Sequence, residues 1–187
     1  MKMKHKFLNN EIPPDTEILV VGTFNPEIPG NAANFFYSRG QNVFWELMSA
    51  IFEEKCVRYE SKNEKKAFIK RHKIAFADLI EEINLDEKEA STYSDRFLDK
   101  HLNTATCKDI AGEIARLKHL KKVCFTRSSF GGIPNIKKKI DEIAAQCKNK
   151  EHPKRFACLP TPANCRRIDP QKRFAVWKEF FTSWEEK

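Results

Sequence analysis

At 187 residues, 41% hydrophobic and 32% charged, the chain is sized for one domain with a sizeable core; it is too short for two ordinary domains and too apolar for a disordered one. Lys and Arg outnumber Asp and Glu by 34 to 26, and the formal net charge of +8 favours a polyanionic partner. No apolar run approaches bilayer-spanning length, and the basic start MKMKHKFLNN has no apolar stretch behind it, so a soluble, cytoplasmic, monomeric protein without membrane contact is expected, nucleoid-associated if bacterial.

Residues 1–16 read as an N-terminal extension of a single domain covering 1–187. The first buried strand is Ile18–Gly22 (ILVVG), short and unbroken as strands covered on both faces are. Gly22-Thr23-Phe24-Asn25-Pro26-Glu27 follows it. Gly22 permits a sharp turn and Pro26 fixes the chain after Asn25, so Asn25 is a short amide held at a strand's carboxyl end. A turn asparagine bonding its own backbone is the plainer account of the same residue. Next comes Asn34-Phe35-Phe36-Tyr37-Ser38-Arg39-Gly40-Gln41-Asn42. Three consecutive aromatics are not expected to face one core together, which leaves at least one ring to stack on something else.

A helix is predicted over Asn42–Phe52, with Asn42 as its N-cap and with Phe44, Leu47, Met48, Ile51 and Phe52 on its apolar stripe. Ser61–Arg71 reads as a second helix, and Ile74–Ile80 as a second strand with Asp78 near its end. Asn84–Asp99 reads as a polar surface loop. A helix over Thr106–Leu120 carries Ile110, Ile114 and Leu117. The third strand, Lys121–Thr126, is followed by Ser128, and a helix over Ile136–Cys147 comes next. After the loop Lys148–Lys154, the fourth strand Phe156–Pro160 runs into Thr161-Pro162-Ala163-Asn164-Cys165-Arg166-Arg167. That stiff loop bears hydroxyl, amide and guanidinium groups suited to a phosphate backbone. The last helix, Pro170–Trp184, has Asp169 as cap and Phe174, Trp177, Phe181 and Trp184 at helical spacing.

Strands alternating with helices predict an α/β fold, a three-layer α/β/α sandwich around a four-stranded parallel sheet. Ligands in such folds sit beyond the carboxyl ends of the strands. The six cysteines form no C-x-x-C pair and read as reduced thiols. His5, His72, His101, His119 and His152 are scattered, mostly beside Lys or Arg, and read as surface residues. Gly131-Gly132 lacks the Lys-Ser/Thr of a phosphate loop, and Lys137-Lys138-Lys139 reads as a solvated helix face. Neither a metal site nor a cofactor is expected.

Taken in order, the segments Gly22–Glu27, Asn34–Trp45, Leu159–Arg167 and Lys172–Phe181 resemble the uracil-DNA glycosylase superfamily, in its mismatch-specific and hypoxanthine-type branches. The first is similar to the Gly-x-Asn-Pro or Gly-x-Asp-Pro motif. The second is similar to the aromatic-then-Asn-x-Phe-Trp segment, and the third to a Pro-Ser/Thr-containing loop near the C-terminus. This chain has one residue more between Gly22 and the Asn-Pro pair than the usual motif. Aligned on Gly22, the catalytic position holds Phe24; aligned on Pro26, the favoured choice, it holds Asn25.

The resemblance implies a DNA N-glycosylase that needs no metal and flips a deaminated base, uracil or hypoxanthine, out of duplex or single-stranded DNA. It implies catalytic roles for Asn25 and Asn42, each able to hold the attacking water. It implies a stacking surface at Tyr37, a pocket completed by Phe24, Asp78 and Thr126, and DNA contacts from Thr161, Pro162, Asn164, Arg166 and Arg167. Two other readings stay open: a catalytically silent nucleic-acid-binding relative, and a small-molecule hydrolase or transferase on the same sandwich.

Overall fold

The structure, a computed structural model, describes residues 2–85, 94–149, 151–163 and 167–183. In chain order the elements are β1 (Lys2–Lys4), β2 (Ile18–Gly22), α1 (Phe44–Ile51), α2 (Lys62–Arg71), β3 (Ile74–Asp78), β4 (Ile80–Asn84) and α3 (Asp95–His101). Then follow β5 (Thr106–Cys107), α4 (Ile110–Arg116), β6 (Lys122–Phe125), α5 (Pro134–Cys147), β7 (Arg155–Cys158) and α6 (Pro170–Thr182). The main sheet is four-stranded and parallel, in the order β3-β2-β6-β7.

Strand β2 lies between β3 and β6 and is buried along its whole length, which is why it reads as an unbroken apolar run. Its alternate residues serve opposite layers. Leu19 and Val21 pack with Ile110 and Ile114 of α4 and with Ile136, Ile140 and Ile143 of α5. Ile18 and Val20 pack with Phe44, Trp45 and Met48 of α1, Phe68 of α2, and Trp177, Phe180 and Phe181 of α6. Two cores on the two faces of one sheet make the expected three-layer sandwich.

Several boundaries differ from the expectation. The second apolar run is two strands: β3 stops at Asp78, and Ile80–Asn84 joins a separate three-stranded antiparallel sheet, β1-β4-β5. The break falls where the N–H groups of Leu79 and Ile80 turn to the carbonyls of Gly22 and Thr23. The helix predicted from Thr106 starts at Ile110 instead, because Thr106–Cys107 pairs with β4 and Asp109 accepts from the Gly112 N–H to cap the helix. The polar stretch Asn84–Asp99 yields a helix at Asp95, and its Asp99 is buried because Oδ1 accepts the Ile136 N–H at 2.6 Å. Asp99 thus caps α5, whose own N-cap, Ile133, has no side-chain oxygen to give. Met3 of β1 is a core residue, so part of the stretch 1–16 packs into the domain. Trp184 lies outside the described residues.

At the amino end of the main sheet, the Glu17 carbonyl accepts from the N–H groups of Lys121 and Lys122, and the Glu17 N–H donates to the Lys73 carbonyl. The Glu17 carboxylate bridges Lys73 and Lys121, each at 2.6 Å. Buried Lys122 sends its ammonium to the carbonyls of Phe180 (2.8 Å), Phe181 (3.2 Å) and Ser183 (2.7 Å), which closes the carboxyl end of α6 with a positive charge.

Candidate active site

Beyond the carboxyl ends of the same strands lies a cavity of about 240 Å³. It sits where the chain order reverses, with β3 on one side of β2 and β6 on the other. Gly22 to Asn25 line it after β2, Asp78 at the end of β3, and Thr126 after β6. The loop before α1 adds Phe36, Tyr37, Arg39 and Asn42, and Asp95 and Ala163 complete the lining. Phe24, Asn25, Tyr37, Asn42, Asp78 and Thr126 are therefore brought to one place from four separate stretches of chain.

Gly22 is needed there for space. A Cβ on it would stand 2.3 Å from Asp78 Oδ1 and 2.8 Å from the Tyr37 hydroxyl oxygen. Its φ is not in the left-handed region, so close approach of two side chains, and not turn geometry, accounts for the glycine.

Tyr37 has a φ of 54°. That left-handed kink turns the chain so that Phe35 and Phe36 are buried in one aromatic core and Tyr37 packs against the same core. All three rings share a cluster, contrary to the expectation from their adjacency. Tyr37 stacks on Phe44 with centroids 4.6 Å apart, and its hydroxyl lies 3.3 Å from Thr126 Oγ1. Burial, and next the charge of Asp78, push the phenol well above its ordinary value, so it faces the cavity as a neutral O–H. The loop that delivers it is held by buried Lys65, whose ammonium donates to the Glu60 carbonyl (2.9 Å) and to Asn34 Oδ1 (3.2 Å).

Asn25 is held by a second amide. Asn31 Nδ2 donates to Asn25 Oδ1 at 2.7 Å and to the Pro26 carbonyl at 2.6 Å. An amide oxygen has two lone pairs, so Asn25 Oδ1 keeps one for a further donor. Asn42 stands two residues before the helix, not at its N-cap. Its Oδ1 accepts from the Phe44 N–H at 2.9 Å, and its backbone pairs with Ala163.

The loop after β7 is fastened on both sides. Trp177 Nε1 donates to the Pro160 carbonyl at 2.9 Å, and Arg173 donates to those of Thr161 (3.3 Å) and Ala163 (3.1 Å). The Val43 N–H donates to the Pro162 carbonyl, and Pro162 itself is buried. Thr161 Oγ1 accepts the Ala163 N–H, and Arg167 is exposed. Asn164 and Arg166 lie outside the described residues.

Phe36, Arg39 and Asp95 of the lining were not anticipated as site residues, nor were His5 and Asn31, which brace the lining from behind. His5, read as a surface residue, is only 5% exposed, and its Nε2 lies 2.7 Å from Asp78 Oδ2. Its Nδ1 accepts the Phe7 N–H at 3.0 Å, which places the ring proton on Nε2, as donor to the carboxylate. The signal was present: Lys-Met-Lys-His-Lys-Phe alternates with period two, which puts Met3 and His5 on the inner face of a strand. Asn31 has no such signature; its role exists only through contacts made after folding.

Among the described residues no group of His, Cys, Asp and Glu could hold a metal ion. Cys56, Cys107, Cys124, Cys147 and Cys158 are free thiols; burial raises Cys147 to about 11 and pushes Cys124 higher. Among the same residues no helix is long and apolar enough to cross a membrane.

The fold and the cavity define an α/β sandwich with its site at the switch point of a parallel sheet. The same fold is found in a Methanosarcina acetivorans protein solved by NMR and described as a "putative Uracil DNA glycosylase", with a TM-score of 0.59, 17% sequence identity and 91% of each chain covered. No protein-family model matches the chain, and no curated protein matches it.

Proposed function

We propose that this chain is a monofunctional DNA N-glycosylase of the uracil-DNA glycosylase superfamily that removes a deaminated base, uracil or hypoxanthine, in base excision repair. The observation that carries the reading is the gathering of Asn25, Tyr37, Asn42 and Asp78 around one cavity at the carboxyl ends of the sheet. The order of the sequence motifs, the similar fold and the net charge of +8 support it.

A base turned out of the stack loses its neighbours, and the aromatic loop at Tyr37 offers a replacement surface. The amide oxygen of Asn25, steadied by Asn31, holds a water through its remaining lone pair; Asn42 is the second candidate for that task. The water oxygen bonds to C1′ of the sugar, the C1′–N bond breaks with its electron pair going to the base, and the proton that the water gives up is taken by the base. Backbone N–H groups along Gly22–Asn25 stabilise the charge that develops on the leaving base. Outside the cavity, Thr161 and Arg167 contact phosphates, with buried Pro162 shaping the loop.

The test is base release from labelled DNA carrying uracil or hypoxanthine, as single strands and opposite each base. Release by the native protein, reduced about 100-fold or more in Asn25→Ala or Asn42→Ala, establishes the activity and names the water-holding residue. Salt-sensitive DNA binding with no release from any substrate would make the chain a nucleic-acid-binding relative. Absence of both would leave a small-molecule enzyme on this fold.

A further inference from the structure

We infer that His5 is a positioning residue for base selection: it holds Asp78 so that one carboxylate oxygen, Oδ1, is presented to an N–H edge of the bound base. The inference rests on the glycosylase reading and adds to it a basis for choosing substrates.

Three observations converge. The His5–Asp78 pair is buried on both sides, with side-chain exposures of 4% and 8%, and its two atoms are 2.7 Å apart. The Phe7 N–H occupies Nδ1, so the proton on Nε2 is committed to Asp78 Oδ2. The other oxygen, Oδ1, lies 2.3 Å from where a Cβ on Gly22 would stand, with the Tyr37 hydroxyl oxygen 2.8 Å from the same point, and Gly22, Tyr37 and Asp78 all line the cavity. With Oδ2 engaged by an inner donor, Oδ1 keeps its lone pairs for a donor in the cavity. The imidazole is itself clamped by rings, with Phe36 at 5.5 Å, Phe24 at 5.9 Å and Phe7 at 6.0 Å, so the direction of that acceptor is set by packing.

The chemistry of such a wall is selective. Uracil and hypoxanthine carry a ring N–H beside a carbonyl, and the N–H can donate to Asp78 Oδ1. Cytosine and adenine present a ring lone pair at the same position, which a carboxylate repels. The wall thus separates uracil and hypoxanthine from the cytosine and adenine they derive from, while guanine and thymine, which carry the same N–H, must be refused by other contacts; the separation depends on His5, the residue that follows β1.

The experiment is a double-mutant cycle with His5→Ala, Asp78→Ala and the pair, read as KM and kcat for release of uracil and hypoxanthine. Each single change is expected to raise KM roughly 10- to 100-fold with a smaller effect on kcat, and the double variant to be no worse than Asp78→Ala. His5→Gln, which keeps an N–H donor, restores most of the loss. Additive effects, or equal losses on His5→Gln, would overturn the inference and assign His5 a packing role. So would efficient release of cytosine or adenine by the native protein.

A readout without turnover separates this inference from the activity itself. The His5 Nε2–H resonance is followed by NMR as free uracil or hypoxanthine is added. A shift in the native protein that is absent in Asp78→Ala upholds the pair as a base sensor even if no DNA substrate is cut. No shift, together with additive mutations or no release, removes it.

Discussion

The two ends of the parallel sheet both carry polar side chains, and the fold treats them in opposite ways. At the amino end, Glu17, Lys73, Lys121 and Lys122 satisfy one another and the carboxyl end of α6. At the carboxyl end, Asn25, Asn42, Asp78 and Thr126 are each braced from behind or beside, by Asn31, the Phe44 N–H, His5 and Tyr37, yet still line a cavity. Polar groups at the first end are closed into the structure. Those at the second are oriented by the structure and left with capacity for a ligand. Under the proposed function, stability and chemistry fall to opposite ends of the same four strands.

This contrast can be broken by substitution. The largest effect on stability is expected from Lys122→Ala, which strands the carbonyls of Phe180, Phe181 and Ser183; urea denaturation should show a loss of about 3 kcal/mol. Base release by the surviving folded protein should be unchanged, and a specific loss there would mean the two ends are coupled. Gly22→Ala tests the other end. The added methyl must displace Asp78 and Tyr37, which His5 and Thr126 hold in place, so a loss of about 2 kcal/mol is expected, with base release reduced further than stability explains.

Tyr37→Phe is milder. It removes the hydroxyl near Thr126 but keeps the ring on Phe44, so about 1 kcal/mol of stability is lost and base stacking survives. If that variant loses base release altogether, the hydroxyl and not the ring carries the tyrosine's part.

The smallest effect sharpens the comparison through pH. Burial of Glu17 acts to raise its pKa, but hydrogen bonds and charge from Lys121 and Lys73 outweigh it and hold the carboxyl below its ordinary 4.5. A carboxylate lowered in the folded state contributes stability above its unfolded value and loses it as pH falls through the folded one. Glu17→Gln should therefore cost about 1 kcal/mol at neutral pH, and the difference from the native protein should vanish well below pH 4.5. A cost that persists in acid would mean that shape, not charge, matters at Glu17.

The layers of the fold were legible from the residues because they depend on local pattern. Unbroken apolar runs announce strands covered on both faces, and three- and four-residue apolar spacing announces the helices that cover them. The similar fold of the Methanosarcina protein agrees with that reading. Less legible were β4 and β5, since strands of five and two residues carry little periodicity and exist through pairing with β1 and each other. Helix α5 borrows its cap from Asp99, 37 residues before the N–H that it serves, which no local motif could announce.

Sequence alone, then, determined the sandwich and the stretches that would follow its strands, because burial on a period of two or 3.6 is written residue by residue. It also indicated Asn25, Tyr37, Asn42 and Asp78 as candidates. Only the tertiary structure decided that they line one cavity, that Gly22 is small to let Asp78 and Tyr37 meet above it, and that His5 lies behind Asp78. Those are contacts between residues 15 to 73 positions apart. Their geometry depends on strand register and on one left-handed kink at Tyr37, and neither is encoded in the neighbours of any single residue.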